Sequence, residues 1–160
     1  MTEMDEALAA LYHQRYHTFL RLAEAVVGDP ETARDVVQDA FSRLLRSQSQ
    51  FRGEGTLEGW VWRTIVNTAR STRRAQQSQQ SDGNEGLLSV EVEENRHDDD
   101  VRSLLASLPE RQRLVLFLRY YGDLDYRSIA EALGIESGTV AATLNQARAT
   151  LRRMLTEVPR

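Results

Sequence analysis

The segment YRSIAEALGIESGTVAATLNQARATLRR, Tyr126 to Arg153, reads as two helices joined by a tight turn. In its first half Tyr126, Ile129, Ala130 and Leu133 fall at helical spacing on one face. Gly134 ends that helix, since glycine takes a left-handed conformation at no steric cost. Ile135 then drops back into the core. Ser137 is placed to cap the second helix through its hydroxyl. Beyond it Val140, Leu144, Ala147, Leu151 and Leu155 keep one apolar stripe, at steps of four, three, four and four. Two helices at a steep angle with glycine in the turn make the helix-turn-helix pattern, whose second helix enters a DNA major groove. The same spacing also fits a plain corner between two helices of a bundle.

Upstream of this segment the chain divides by composition. Residues 1–77 hold ten Arg against ten acids, residues 78–100 one Arg against eight, and residues 101–160 nine Arg against six. The net charge of −4 is therefore concentrated in the middle, and it does not exclude a nucleic-acid partner. All basic residues are Arg, the side chain suited to bidentate phosphate and guanine contacts. With no Cys, neither disulfides nor Cys-based zinc sites are available. No apolar run approaches the roughly 20 residues of a bilayer span, and no basic start leads into an apolar block, so a cytoplasmic protein is expected.

Three helices are expected before the acidic middle. The first spans Glu3 to Val27, with Leu8, Leu11, Tyr12, Tyr16, Phe19, Leu20, Ala23 and Val26 or Val27 inward and Gly28 as its stop. Asp29-Pro30 restarts the chain as cap and first helical residue. The second helix, to Arg46, turns Ala33, Val36, Val37, Ala40, Phe41, Leu44 and Leu45 inward and shows Arg34, Asp35, Gln38, Asp39, Ser42 and Arg43 outside. After the loop Ser47 to Gly55, Thr56 caps a third helix over Leu57 to Gln76. There Leu57, Trp60, Val61, Ile65 and Ala69 are expected inside, with Trp62, Arg63, Asn67, Arg70, Arg73 and Arg74 outside. Basic and aromatic groups so interleaved suit phosphate contact and base stacking, and equally a solvated helix face over an aromatic core.

Gln76 to Glu94 is Gln/Ser/Gly-rich and then acidic, a flexible linker by composition. Asp98, Asp99 and Asp100 suit a helix N-terminus better than a metal, because consecutive helical residues point in different directions. Leu104, Leu105 and Leu108 are expected in the core. Pro109 starts another helix with Leu114, Val115, Phe117, Leu118 and Tyr121 available for burial and Gly122 as its stop, and Asp125 caps the helix that follows. His13 and His17 have the spacing of a zinc-protease signature, but Gln14 stands where its general base belongs and no third ligand is evident. No Gly-rich phosphate loop and no nucleophile motif is present, so no enzyme, cofactor or small-molecule substrate is expected.

LPERQRLVLFLRYYGDLDYRSIAEALGIESGTV, Leu108 to Val140, closely resembles region four of bacterial extracytoplasmic-function sigma factors. GDPETARDVVQDAFSRLLRSQSQFRGEGTLEGWVWRTIVNTARSTRR, Gly28 to Arg74, resembles their region two. The resemblance implies an all-α chain of two small domains: region two at 1–76, an acidic linker at 77–97, and a helix-turn-helix region four at 98–160. It implies an RNA polymerase specificity subunit with no chemistry of its own. Region two would bind a coiled coil of the largest polymerase subunit through Asp35, Gln38, Asp39 and Phe41. It would read the minus-ten element through Phe51, Trp60, Arg63 and Asn67, with Arg70, Arg73 and Arg74 on phosphates. Region four would read the minus-thirty-five element through Ser137, Thr139, Ala141, Ala142, Asn145 and Gln146, flanked by Arg127 and Arg148.

The recognition helix departs from the family pattern, in which a basic residue commonly follows Gly-Thr-Val. Here Ala141, Ala142 and Thr143 follow, and Asn145 and Gln146 stand where His-Arg is common. Fewer cations mean a shallower salt dependence, while Asn and Gln retain bidentate contact with adenine. The linker would cross the polymerase cleft, its acids mimicking nucleic acid in a basic channel. An anti-sigma factor is the further expected partner. Two rival readings are a stand-alone helix-turn-helix regulator and a sigma-like decoy that acts through protein contacts alone.

Overall fold

The computed structural model describes residues 1–79 and 104–157, which belong to two compact units. The first is built on α1 (Glu3–Val27), α2 (Pro30–Arg46), a 3₁₀ turn (Gln48–Gln50) and α3 (Leu57–Gln79). The second is built on a helical turn at 104–106, α4 (Glu110–Leu116), a π-helical turn (Phe117–Tyr121), α5 (Tyr126–Leu133) and α6 (Ser137–Glu157). Among the described residues there is no strand, and no helix is long and apolar enough to cross a membrane. The expected all-α class is therefore observed. Residues 80–103, with most of the linker, His97 and Asp98 to Asp100, lie outside the described residues.

Local chemistry sets the helix ends of the first unit. Thr2 opens α1 with a reciprocal capping box: its Oγ1 accepts from the Asp5 N–H at 3.1 Å, and its own N–H donates to Asp5 Oδ2 at 2.9 Å. The Gln48 side-chain amide joins this box, donating to the Asp5 carboxylate and accepting from the Thr2 hydroxyl at 3.3 Å. The start of α1 is thereby tied to the end of α2. Gly28 stops α1 at φ 84°, its N–H on the Glu24 carbonyl at 2.7 Å. Asp29 caps α2 by accepting the Thr32 N–H at 2.9 Å, and Thr56 caps α3 by accepting the Gly59 N–H at 3.0 Å.

Phe19, Leu22 and Val26 of α1 meet Val36, Val37, Ala40 and Leu44 of α2 and Val61, Trp62, Ile65, Val66 and Ala69 of α3 in the core. Three expectations are corrected here. Trp62, expected outside, is fully buried edge-on against Phe19, ring centroids 4.6 Å apart. Trp60, expected inside, is only half-buried. Residues two apart lie about 200° apart around a helix, so the two indoles face opposite ways. Trp62, Ile65, Val66 and Ala69 then form the three-and-four stripe that packing requires. Leu45, expected inside, is 48% exposed, because it lies about 100° beyond Leu44, on the side of Gln38 and Ser42.

In the second unit Leu108, Leu114, Val115, Leu116 and Leu118 are buried, while Leu104 and Leu105 are half-buried rather than in the core. The end of α4 does not follow the expected pattern. Its last turn widens: the Gly122 N–H donates to the Phe117 carbonyl at 2.9 Å, five residues back, and the Leu124 N–H to the Leu118 carbonyl at 3.0 Å. Gly122 does not end the helix by left-handed geometry. Its φ is −77°, and the left-handed residue is Asp123 at φ 55°. Glycine is needed at 122 because a Cβ there would lie 2.9 Å from the Leu118 carbonyl oxygen. The extra residue in the turn carries Tyr121 out of the core, to 47% exposure, stacked on Phe117. Arg119 closes the turn by donating from Nη1 to the Leu124 carbonyl at 3.1 Å.

Asp125 caps α5 by accepting the Ser128 N–H at 2.8 Å. Gly134 leaves α5 at φ 67°, and the Ile135 N–H returns to the Ala130 carbonyl at 3.0 Å, the bond of a Schellman ending. The Val140 N–H donates to the Glu136 carbonyl, so the cap position of α6 falls on Glu136 and Ser137 is already helical. Val140, Leu144 and Ala147 are buried, Leu151 is half-buried, and Leu155, expected on the same stripe, is exposed where the stripe outruns its cover. Tyr126, at the start of α5, is 37% exposed, with the Arg119 guanidinium over its ring.

Candidate nucleic-acid interface

Three helix faces hold the residues singled out in the sequence. On α2, Asp35, Gln38 and Asp39 are exposed, and Asp39 pairs with Arg43 one turn on at 3.0 Å. Both partners of that pair are solvated, so it contributes only a few tenths of a kcal/mol and leaves the face open to competition. Phe41 is not on this face. It is 6% exposed, set edge-on to Tyr12 at 5.0 Å and tilted against Phe19 at 5.5 Å. It braces the helix from behind. The apolar side chain on the exposed side is Leu45, which the sequence reading had placed inward.

On α3, Trp60, Arg63, Asn67, Arg70 and Arg74 recur at steps of three, four, three and four, which puts them on one face. At 1.5 Å per residue this stripe is about 21 Å long. Arg63, Asn67 and Arg74 are exposed, Arg70 is half-buried, and Arg73 is half-buried beside the stripe. Phe51, at the start of the loop that carries Gly53 and Gly55 in left-handed conformation, lies against Trp60 with ring centroids 5.2 Å apart and planes 30° apart. Two aromatic rings thus sit at the head of a row of cations. Arg15 of α1 pairs with Glu58 at 3.0 Å in the first turn of α3. Between the buried and cationic stripes, Thr64, Thr68 and Thr72 return their hydroxyls to the carbonyls of Trp60, Thr64 and Thr68, at 3.0, 2.7 and 2.9 Å. Neither the aromatic pair nor this threonine ladder was read from the sequence.

On α6, Ser137, Ala142, Asn145 and Gln146 are exposed, and Thr139 and Ala141 are half-buried. No charged residue occurs from Ser137 to Ala147, and the first is Arg148. Its guanidinium is held on the Tyr120 phenol, donating from Nε at 2.8 Å and also from Nη2, and it lies over the Tyr120 ring at 5.5 Å from the centroid. Arg127 is exposed in the first turn of α5, next to the Asp125 cap. The Ser128 N–H, and then its hydroxyl, hold the Asp125 carboxyl below the usual carboxylate range. On α1, His13 and His17 are both exposed, and among the described residues no three His, Cys, Asp or Glu come together as metal ligands.

Two family descriptions match the chain: Sigma-70 region 2 over residues 11–79 and Sigma-70, region 4 over residues 98–151. RNA polymerase sigma factor SigV of Bacillus subtilis is 31% identical over 141 residues, covering 87% of this chain and 85% of that protein. ECF RNA polymerase sigma factor SigE of Mycolicibacterium smegmatis is 30% identical over 155 residues, covering 91% of this chain and 60% of that protein. Among solved structures, the sigma factor RpoE from Bartonella quintana, crystallised with the anti-sigma factor NepR, shares the fold with a TM-score of 0.74 at 20% identity, over 94% of this chain and 99% of that one. With the helical row of α3 inside the first match and the helix-turn-helix inside the second, the chain belongs to the sigma-70 family of RNA polymerase sigma factors, in its extracytoplasmic-function (ECF) group.

Proposed function

We propose that the three faces divide the work of promoter-specific initiation. The exposed acid–amide–acid row of α2, Asp35, Gln38 and Asp39, docks on core polymerase, with Leu45 as its apolar contact. The α3 stripe takes the minus-ten element: Trp60 and Phe51 offer flat faces to an unstacked base, Asn67 and Arg63 contact the strand, and Arg70, Arg73 and Arg74 meet phosphates. Ala141, Ala142, Asn145 and Gln146 of α6 face the minus-thirty-five bases, with Ser137 and Thr139 at the helix start and Arg127 and Arg148 on phosphates. The protein performs no covalent chemistry and takes no cofactor, and it acts in the cytoplasm, where its DNA is. An anti-sigma factor of the kind crystallised with the Bartonella RpoE holds it inactive by covering the α2 face.

The observation that carries this reading is the segregation on α3. One side is a fully apolar stripe, and the other is an aromatic pair followed by a row of arginines with a single amide among them. Run-off transcription with core polymerase over a randomised promoter library tests it. The expected result is promoter-specific transcripts that Asn67→Ala and Trp60→Ala abolish at the melting step while polymerase binding persists. A chain that binds polymerase but supports no specific transcript is a decoy, and the reading fails.

A further inference from the structure

Arg148 is held by two hydrogen bonds and a ring contact, and nothing in the helix that carries it explains how it is held. Its partner, Tyr120, comes from the π turn that ends α4. That turn inserts one residue and leaves Tyr120 62% exposed, over the side of α6 that bears Arg148. The phenol oxygen accepts from both Nε and Nη2, and the guanidinium carbon lies 5.5 Å from the ring centroid. Of the five N–H donors of an arginine two are so engaged, and the Nη1 pair stays directed away from the phenol. Arg148 stands three residues after Asn145 and seven after Ala141, on the same side of α6 and at the end of its reading face. The eleven residues Ser137 to Ala147 carry no charge, so Arg148 is the first cation on α6 that a phosphate at the groove edge meets.

We propose that Tyr120 is a positioning residue for promoter binding: it fixes the Arg148 guanidinium at the flank of α6 so that the Nη1 donors meet one phosphate of the upstream element. This rests on the assignment of α6 to that element. A free arginine side chain gives up rotamer entropy when it orders on a phosphate, and a guanidinium already braced by a phenol gives up less. The geometry also defines the opposite role, in which the phenol sequesters the Nε–Nη2 edge that would otherwise clasp the phosphate, and the two roles have opposite experimental signs.

Tyr120→Phe keeps the ring and removes only the oxygen. Full-length variants, reconstituted with core polymerase, are titrated against a duplex that wild-type holoenzyme has selected from a randomised promoter library, over a range of salt. Tyr120→Phe is expected to weaken binding about three- to tenfold and, by loosening one phosphate contact, to flatten the slope of log K against log salt by up to about 0.9. Arg148→Ala is expected to do at least as much, and the double variant no more than Arg148→Ala alone. Arg148→Lys, a point charge with no fork to orient, is expected to make binding indifferent to the phenol, so that adding Tyr120→Phe to it changes little. Polymerase affinity and thermal midpoint are expected to stay at wild-type values. Wild-type affinity and slope in Tyr120→Phe, tighter binding, or a loss that adds in full to that of Arg148→Ala each overturn the proposal. Holoenzyme that selects no duplex at all sinks the assignment of α6 to DNA and this proposal with it, before any variant is made.

Discussion

At the scale of single residues, the two tryptophans of α3 divide between a structural position and one to which the proposed function gives a role. Trp62 fills the core against Phe19, so Trp62→Ala is expected to cost about 3–5 kcal/mol in urea unfolding. Trp60 is half-buried against Phe51, and Trp60→Ala is expected to cost clearly less stability while removing template opening. Leu45 makes the complementary case on α2. Being 48% exposed, Leu45→Glu is expected to leave unfolding within about 0.5 kcal/mol of wild type while weakening capture of core polymerase in a pull-down. None of these three positions was assigned to its observed side by spacing alone. Apolar periodicity locates a stripe to within a residue, but aromatic side chains two apart satisfy the count either way, and only the neighbour that covers one of them decides. Phe41 was read as inward-facing and also as a polymerase contact; at 6% exposure it is inward-facing and has little surface to offer a partner.

At the scale of elements, most helix starts and stops were legible because they depend on short-range chemistry, the exceptions being the cap expected at Ser137, which falls on Glu136, and the stop expected at Gly122. Gly28, Asp29-Pro30, Thr56, Asp125 and Gly134 each act within four residues of their own position. The π turn was not legible, because no residue type specifies it. It is visible only through bonds from Gly122 and Leu124 back to Phe117 and Leu118. Gly122→Ala, which forces a Cβ against the Leu118 carbonyl, is expected to cost about 1–3 kcal/mol, measured by thermal or urea unfolding. The aspartate caps predict a pH dependence. The Thr32 hydroxyl and N–H lower the Asp29 carboxyl, and the Ser128 N–H lowers that of Asp125. Groups whose pKa is lower in the folded state stabilise it fully above the unfolded carboxylate range, near about pH 4. That contribution is lost as pH falls through the folded values. The double variant Asp29→Asn, Asp125→Asn is therefore expected to show a shallower fall in thermal midpoint between about pH 5 and pH 2 than wild type.

At the scale of the whole molecule, charge is distributed unevenly. The uncharged run from Ser137 to Ala147 leaves few cations on α6, so the full chain without polymerase is expected to bind promoter duplex weakly. A slope of log K against log salt no steeper than about −3 is expected, in contrast to the steep dependence of a strongly basic reader. The two-part, all-helical organisation was legible because the helix-turn-helix and the α2–α3 pair each have internal punctuation. What bound the parts internally was less so: the Gln48 tie to the Thr2–Asp5 box joins residues more than forty apart, and nothing in the local pattern announces it. The threonine ladder of α3 has one more consequence. Because Thr64, Thr68 and Thr72 commit their hydroxyl protons to their own backbone, that flank offers an incoming strand no hydroxyl donor. On the proposed assignment of α3 to the minus-ten element, Asn67 is then the main side-chain amide left to tell nucleobases apart, and an exchange at that solvent-facing position is expected to retune which promoters open while the scaffold around it stays as it is.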